Sequence, residues 1–208
     1  MEHFVINIGR QLGSGGREIG VKLADRLQAA YYDKELIALA ARESGIGTEF
    51  FEKADEVATF SLANSIHGLG SGNMNHFQSS NFLCNESLFK IQSDVIKKLA
   101  EKQTCIFVGR CADYVLRENP RCLNVFITAD IECRINRVVR TYQMTSESKA
   151  KELIQKTDKK RAAYYNYYTN KQWGVASSYH LCINTSALGE EKTVDFIAKF
   201  AGEKLGIK

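Results

Sequence analysis

The apolar run Phe4-Val5-Ile6-Asn7-Ile8 leads shortly into Gly13-Ser14-Gly15-Gly16-Arg17-Glu18, and then into an amphipathic segment carrying Ile19, Leu23 and Leu27. A strand, a glycine turn and a helix in that order make a place for an anion. Glycines let backbone N–H groups turn toward a negative charge, and the helix N-terminus adds a partial positive charge. The lysine-bearing phosphate loop, G-x-x-x-x-G-K-[ST], is not reproduced. With Gly15 as its second glycine, Gly16 stands in the lysine slot and Arg17 is the cation of the turn. A dinucleotide turn, G-x-G-x-x-G, is the rival reading, with Asp33 at the end of the second strand as the ribose acid. Gly13 and Gly15 fit it, but Glu18 fills the third position. A glycine turn with no ligand is the plainest alternative. Glycines cost conformational entropy on folding, so several together straight after a strand favour phosphate binding.

The chain has 208 residues, 44% hydrophobic and 25% charged, which suffices for one compact core. We therefore expect a single domain over 1–208. A net charge of +4 suits an enzyme of phosphates without arguing for a nucleic-acid partner. The six cysteines show no C-x-x-C spacing, so a zinc or redox site is unsupported. Cys105 and Cys182 lie in apolar runs and read as small core residues. The sequence shows neither a signal peptide nor an apolar run of transmembrane length. A cytoplasmic protein with no membrane partner is the expectation.

Five β-prone runs stand out: Phe4–Ile8, Ala30–Tyr32, Cys105–Val108, Leu123–Thr128 and His180–Asn184. Helical stripes separate them: Leu88, Ile91, Val95 and Leu99; Ile131, Ile135, Val138 and Tyr142; Val194, Ile197, Ala201 and Leu205. Alternation of short apolar strands with helices predicts an α/β, three-layer sandwich around a five-stranded parallel sheet. Asn64 to Asn85 is rich in Gly, Ser, Asn and His and is too long for an ordinary connection. It reads as a mobile covering insertion, with disorder as the alternative.

Beyond the glycine turn, Val108-Gly109-Arg110-Cys111-Ala112-Asp113 follows the third strand. Ligands of open α/β sheets bind at that carboxyl edge, and an arginine there can fork onto a phosphate. The bland account is an arginine paired with Asp113 at a helix start. Arg134, Arg137 and Arg140 share one helix, away from its apolar stripe, which alone reads as a solvated basic face. On the next helix the Ala150–Ile154 face continues into Asp158 and Arg161. An apolar stripe turning into an acid–arginine pair suggests a face entering a cleft, where Asp158 could aim Arg161 at a phosphate. Tyr164-Tyr165-Asn166-Tyr167-Tyr168 follows, and could instead pack on the body or stack single-stranded bases.

Together these stretches resemble the cytidylate kinase-like branch of the P-loop nucleoside monophosphate kinases. The resemblance is carried by Gly13 to Ile19, Tyr32-Asp33-Lys34-Glu35-Leu36-Ile37, Val108 to Asp113, Asp158-Lys159-Lys160-Arg161 with Tyr164-Tyr165, and Asn184-Thr185-Ser186. It implies a P-loop nucleotide-kinase fold, with a substrate-binding helical region at about 34–103, a mobile loop at 64–85 and a lid at about 134–170. It implies ATP phosphates on Gly13, Ser14, Gly15, Gly16, Arg17 and Glu18. Mg²⁺ would be held mainly by those phosphates and by water. Acceptor binding would fall to Asp33, Arg42, Arg110 and Asp113, and catalysis to Arg17, Arg134, Arg137, Asp158 and Arg161. The implied reaction is phosphoryl transfer from ATP to a nucleoside monophosphate of the CMP or dCMP kind, with small-molecule nucleotides as partners and no nucleic acid expected. Two departures stand against this pattern. The lysine and hydroxyl slots of the loop hold Gly16 and Arg17, or Arg17 and Glu18 if the loop is one residue longer. The family's arginine six residues beyond the acid ending the second strand is Leu39 here, with Arg42 as a possible substitute. The alternative is a nucleotide-sensing or scaffold module that kept the fold without turnover.

Overall fold

Val5–Arg10 forms the central strand, β1, and nearly every side chain along it is buried. The computed structural model describes residues 3–43, 45 and 75–207, with side chains from residue 86 onward in the last range. The chain divides into two compact units: Met1–Lys34 joined with Leu99–Lys208, and Glu35–Lys98.

In the first unit, β1 leads through the glycine turn into α1 (Gly16–Leu27). Then come β2 (Ala30–Tyr32), β3 (Cys105–Val108), β4 (Cys122–Thr128) and β5 (Leu181–Asn184). The sheet order is β2-β3-β1-β4-β5, and every pairing is parallel. The order places β1 centrally, flanked by β3 and β4, so the glycine turn opens at the carboxyl edge between two neighbours. The strands match the five runs expected from sequence to within two residues at each end. A strand buried on both faces has no alternation to blur its hydrophobic signal.

Register explains the main core. Ile6 lies level with Ile106 and Leu123, and Ile8 with Val108 and Val125. On this face Ile19 and Leu23 of α1 pack with Val194, Ile197, Ala201 and Leu205 of a C-terminal helix, Thr185–Leu205. Leu23 has no exposed surface, and burying such a side chain contributes about 1.5–3 kcal/mol. On the opposite face Phe107 stacks on Tyr32, and Phe126 meets Trp173 and Tyr179.

Four more helices complete the described chain: α2 (Lys34–Glu43), α3 (Asn75–Lys102), α4 (Ala112–Val115) and α5 (Ile131–Thr141). They are followed by α6 (Glu147–Thr169), and the C-terminal helix is α7. In the second unit Ile37 and Ala41 of α2 are buried, as are Ile91, Val95 and Ile96 of α3. The expected covering loop is helical from Asn75 onward; its remainder, 64–74, lies outside the described residues.

Three sequence readings change. Cys182 is exposed rather than core, because β5 is the sheet's edge and Ile183, its neighbour in the alternation, takes the inward position. Tyr142 does not continue its stripe: it follows the last turn of α5 and is 55% exposed. Arg134, read as part of a solvated basic face, is buried at 7% exposure.

Candidate functional site

The glycine turn is defined by where its carbonyls go. From Arg10 to Gly15 each backbone carbonyl accepts a hydrogen bond from within the protein. Arg161 Nη1 donates to the Arg10 carbonyl at 3.0 Å, and the Ser14 N–H and hydroxyl both donate to Gln11. Arg134 Nε donates to Leu12 at 2.8 Å and Arg137 Nη1 to Gly13 at 2.7 Å. The Thr185 hydroxyl donates to Ser14 at 2.9 Å, and the Ile19 N–H to Gly15 at 2.9 Å. The amides are treated differently. The Leu12 N–H is held by Asp158 Oδ1 at 2.8 Å. Among the described residues, no group accepts from the N–H of Gly13, Gly15 or Gly16. A loop with satisfied acceptors and open donors at a helix N-terminus is suited to an anion.

Gly13 and Gly15 hold φ of 79° and 81°, the left-handed region that favours glycine. Gly15 immediately precedes α1, and no side chain caps that helix. Glu18 is exposed in the first turn, and Ser14 is fully buried with its hydroxyl committed to Gln11. Arg17 is exposed and its guanidinium reaches Asp33 Oδ2 at 3.1 Å, tying the loop's own cation to the end of β2.

The arginines of α5 and α6 converge on the loop's backbone. Asp158 ion-pairs with Arg134, while Arg161 Nη1 stands 4.0 Å from Asp158 Oδ1. The pairing expected from sequence, Asp158 with Arg161, is thus the looser one; Arg134 and the Leu12 amide are its closer partners. Burial lowers the Arg161 guanidinium from its usual value, and Asp158 works against that shift. Arg137 bridges Gly13 to Glu190 Oε1 at 2.7 Å. The two helices meet through Val138, Ala150 and Ile154, with Leu12 of the loop packed on the same cluster. The helices expected to form a lid therefore lie on the glycine turn itself.

Arg110 occupies the carboxyl end of β3, with φ of 59°. Its guanidinium donates to the Tyr164 hydroxyl at 2.7 Å and lies 4.4 Å from that ring's centroid. Asp113 accepts from the Tyr165 hydroxyl at 2.7 Å. Burial pushes the Asp113 carboxyl above its usual range, opposed by that bond. Burial likewise raises the phenols of Tyr164 and Tyr165. Both tyrosines are thus engaged inside the protein, while Tyr167 is 55% exposed. Arg42, in the second unit, is exposed in the last turn of α2.

Thr185, Glu190 and Arg10 escaped the sequence reading as site residues. Thr185 sits in a stretch that carried the family resemblance, whereas Glu190 had no local signal. No group of three or more His, Cys, Asp or Glu is gathered among the described residues. The open amides of the loop suit a polyphosphate. No helix among the described residues is long and apolar enough to cross a membrane.

A five-stranded parallel sheet of this order, with an anion loop after its central strand, defines the α/β fold of the P-loop kinases. A family model described as the cytidylate kinase-like family matches residues 5–187, and the chain belongs to that family. A search of curated proteins finds no match. Among solved structures, an uncharacterized protein from Eubacterium ventriosum is 27% identical with a TM-score of 0.71, covering 96% of this chain and 98% of its own. A shikimate kinase from Bacteroides thetaiotaomicron shares the fold at 14% identity and a TM-score of 0.51, covering 98% of each chain. Family membership supports a kinase of nucleotides or other small molecules.

Proposed function

We propose that this protein transfers a phosphoryl group from Mg²⁺-ATP to a nucleoside monophosphate, most simply one of the CMP or dCMP kind. The observation that carries the reading is the glycine turn, with its carbonyls bonded inward and the N–H groups of Gly13, Gly15 and Gly16 open. In this proposal those amides seat the donor's phosphates. Arg110 binds the acceptor phosphate from the end of β3, kept in place by Tyr164 and with Asp113 beside it. Arg17, Arg134, Arg137 and Arg161 supply positive charge around the transferring group, with Asp158 and Asp33 orienting guanidiniums. Phosphoryl transfer needs chiefly in-line positioning and charge on the equatorial oxygens, so a site built of amides and arginines is chemically sufficient. Magnesium, when bound with ATP, would neutralise the β and γ oxygens. With α5 and α6 already seated on the loop, their packing would help to exclude water from it and limit hydrolysis. Small nucleotides are the partners of this reading and the cytoplasm its setting.

The second reading, a nucleotide-binding module without turnover, is favoured by Gly16 and Arg17 in the lysine and hydroxyl slots. A coupled assay of ADP formation across a panel of nucleoside monophosphates separates the two. The kinase predicts saturable turnover with a pyrimidine monophosphate. ATP binding with no turnover on any monophosphate or other small acceptor would leave the module as the better account.

A further inference from the structure

The motif G-x-x-x-x-G-K-[ST], set with Gly15 as its second glycine, puts its first glycine at position 10 and its lysine at position 16. This chain has Arg10 and Gly16 there. The cation and the glycine have exchanged slots, and the structure shows how the exchange works in space. A Cβ built on Gly16 would fall 2.6 Å from Arg10 Cβ and 2.9 Å from its Cγ. The backbone fixes Arg10 Cβ, which cannot swing aside, so a side chain at 16 and the stem of Arg10 exclude one another. Gly16 is helical, without positive φ, and room is what this position supplies. At its other end, Arg10 Nη1 lies 2.2 Å from where a Cβ on Gly109 would sit, with Cζ at 3.1 Å. Gly109 follows β3 and precedes Arg110, and its N–H donates to the Ile8 carbonyl at 3.0 Å. Gly109 holds φ of 83°, which favours glycine in its own right, and Arg10 runs from the room left at Gly16 to this point beyond the end of β3.

We propose that Arg10 is a phosphate-contacting residue, which supplies from the strand side of the loop the cation that Gly16 no longer provides. The inference rests on the phosphate-loop reading of the proposed function. The head of Arg10 lies at the sheet edge where the open amides of the loop and Arg110 come together in sequence and topology. Arg17 pairs with Asp33 at the end of β2. A guanidinium can fork two hydrogen bonds onto phosphate oxygens where a lysine gives a point charge, so the exchange changes the geometry of recognition while keeping its sign.

The test is calorimetric titration of Mg²⁺-ATP and of inorganic tripolyphosphate into wild type, Arg10→Ala, Arg10→Lys, Gly16→Lys and the double variant Arg10→Gly with Gly16→Lys. The melting temperature of each variant serves as a control for folding. Arg10→Ala should weaken both ligands by about 10–100-fold, the loss of a charge-assisted contact. Arg10→Lys should keep part of the affinity. Gly16→Lys alone should bind worse than wild type and melt lower. The double variant restores the standard slots and should bind more tightly than Arg10→Ala and melt higher than Gly16→Lys, a rescue that a merely structural Arg10 would not produce. Wild-type affinity in folded Arg10→Ala overturns the assignment while leaving the phosphate loop intact. Should Arg10→Ala fail to fold, Arg10→Met keeps the stem without the charge, and wild-type affinity in that folded variant together with no recovery in the double variant overturns it equally. Failure of wild type to bind either ligand overturns the phosphate loop and the role of Arg10 with it.

Discussion

Asp158→Ala is the perturbation that most directly probes how the loop is held. Its carboxylate does two things in one place: it accepts from the Leu12 N–H at 2.8 Å and pairs with Arg134. The side chains of Arg134 and Asp158 are only 8% and 15% exposed. Removing one partner of so enclosed a pair leaves a buried guanidinium, at a cost of about 3–5 kcal/mol. The stranded Leu12 amide alone would cost about 1–3 kcal/mol. One carboxylate serves both, so the terms overlap and the total stays near the first figure. With a urea slope of about 2 kcal/mol/M, the unfolding midpoint should fall by about 1.5–2.5 M, a large part of a stability of about 5–15 kcal/mol. Asp158→Asn keeps an acceptor for Leu12 and should lose less. Arg134→Met with Asp158→Leu removes both charges and should be milder than Asp158→Ala, since no ion is left unpaired. A midpoint shift in Asp158→Ala below about 0.5 M, roughly 1 kcal/mol, would refute the view that this carboxylate holds the loop.

Gly15→Val forces a β-branched residue to φ of 81° and presses its Cβ to within 3.2 Å of Arg137 Cζ; we expect Mg²⁺-ATP binding to fall more than tenfold by calorimetry, with strain of about 1–2 kcal/mol visible in the melting temperature. Arg110→Ala should weaken nucleoside monophosphate binding by about 1.5–3 kcal/mol and ATP binding much less, and equal losses for both ligands would place Arg110 on the donor side. Asp113 is raised from 3.8 by burial, so the native state favours its neutral form. Its relative contribution to stability is full below that value and is lost as pH rises through the folded pKa. Melting curves of wild type and Asp113→Asn across pH should therefore diverge in that window, with wild type falling relative to the variant; parallel curves would contradict the burial argument.

The fold was legible because its signals are local. Ile106 and Val108, or Leu123 and Val125, are apolar because both faces of their strands are covered, and no knowledge of neighbours is needed to mark such a run as strand. Asp158 and Arg161 could be placed on the turn from core to cleft by extending the Ala150–Ile154 face. What the sequence hid was partnership. The pairing of Asp158 with Arg134 crosses from α6 to α5, and that of Arg137 with Glu190 from α5 to α7. Arg134 looked like surface because its helix stripe, Ile131-Ile135-Val138, accounts for only one packed face. The second buried face exists because a loop more than a hundred residues earlier in the chain offers its carbonyls there.

The same reasoning explains why Arg17, in the sequence, stands out as the loop's cation. A motif is written along the chain, and a cation two residues after Gly15 is its nearest linear substitute. Space is ordered differently: position 10 at the end of β1 and position 16 at the start of α1 abut, so one side chain can occupy the room between them from either side. Once the stem enters from the strand, Gly16 must be glycine, and the guanidinium is carried toward β3, past Gly109 with its own φ of 83°. The exchange of residues at positions 10 and 16 then has one cause. An arginine at the slot paired with Gly16 is what continued anion binding calls for, in a kinase and in a nucleotide-binding module alike. The loop therefore argues for a phosphate ligand under either reading, and turnover on an acceptor is what separates the two.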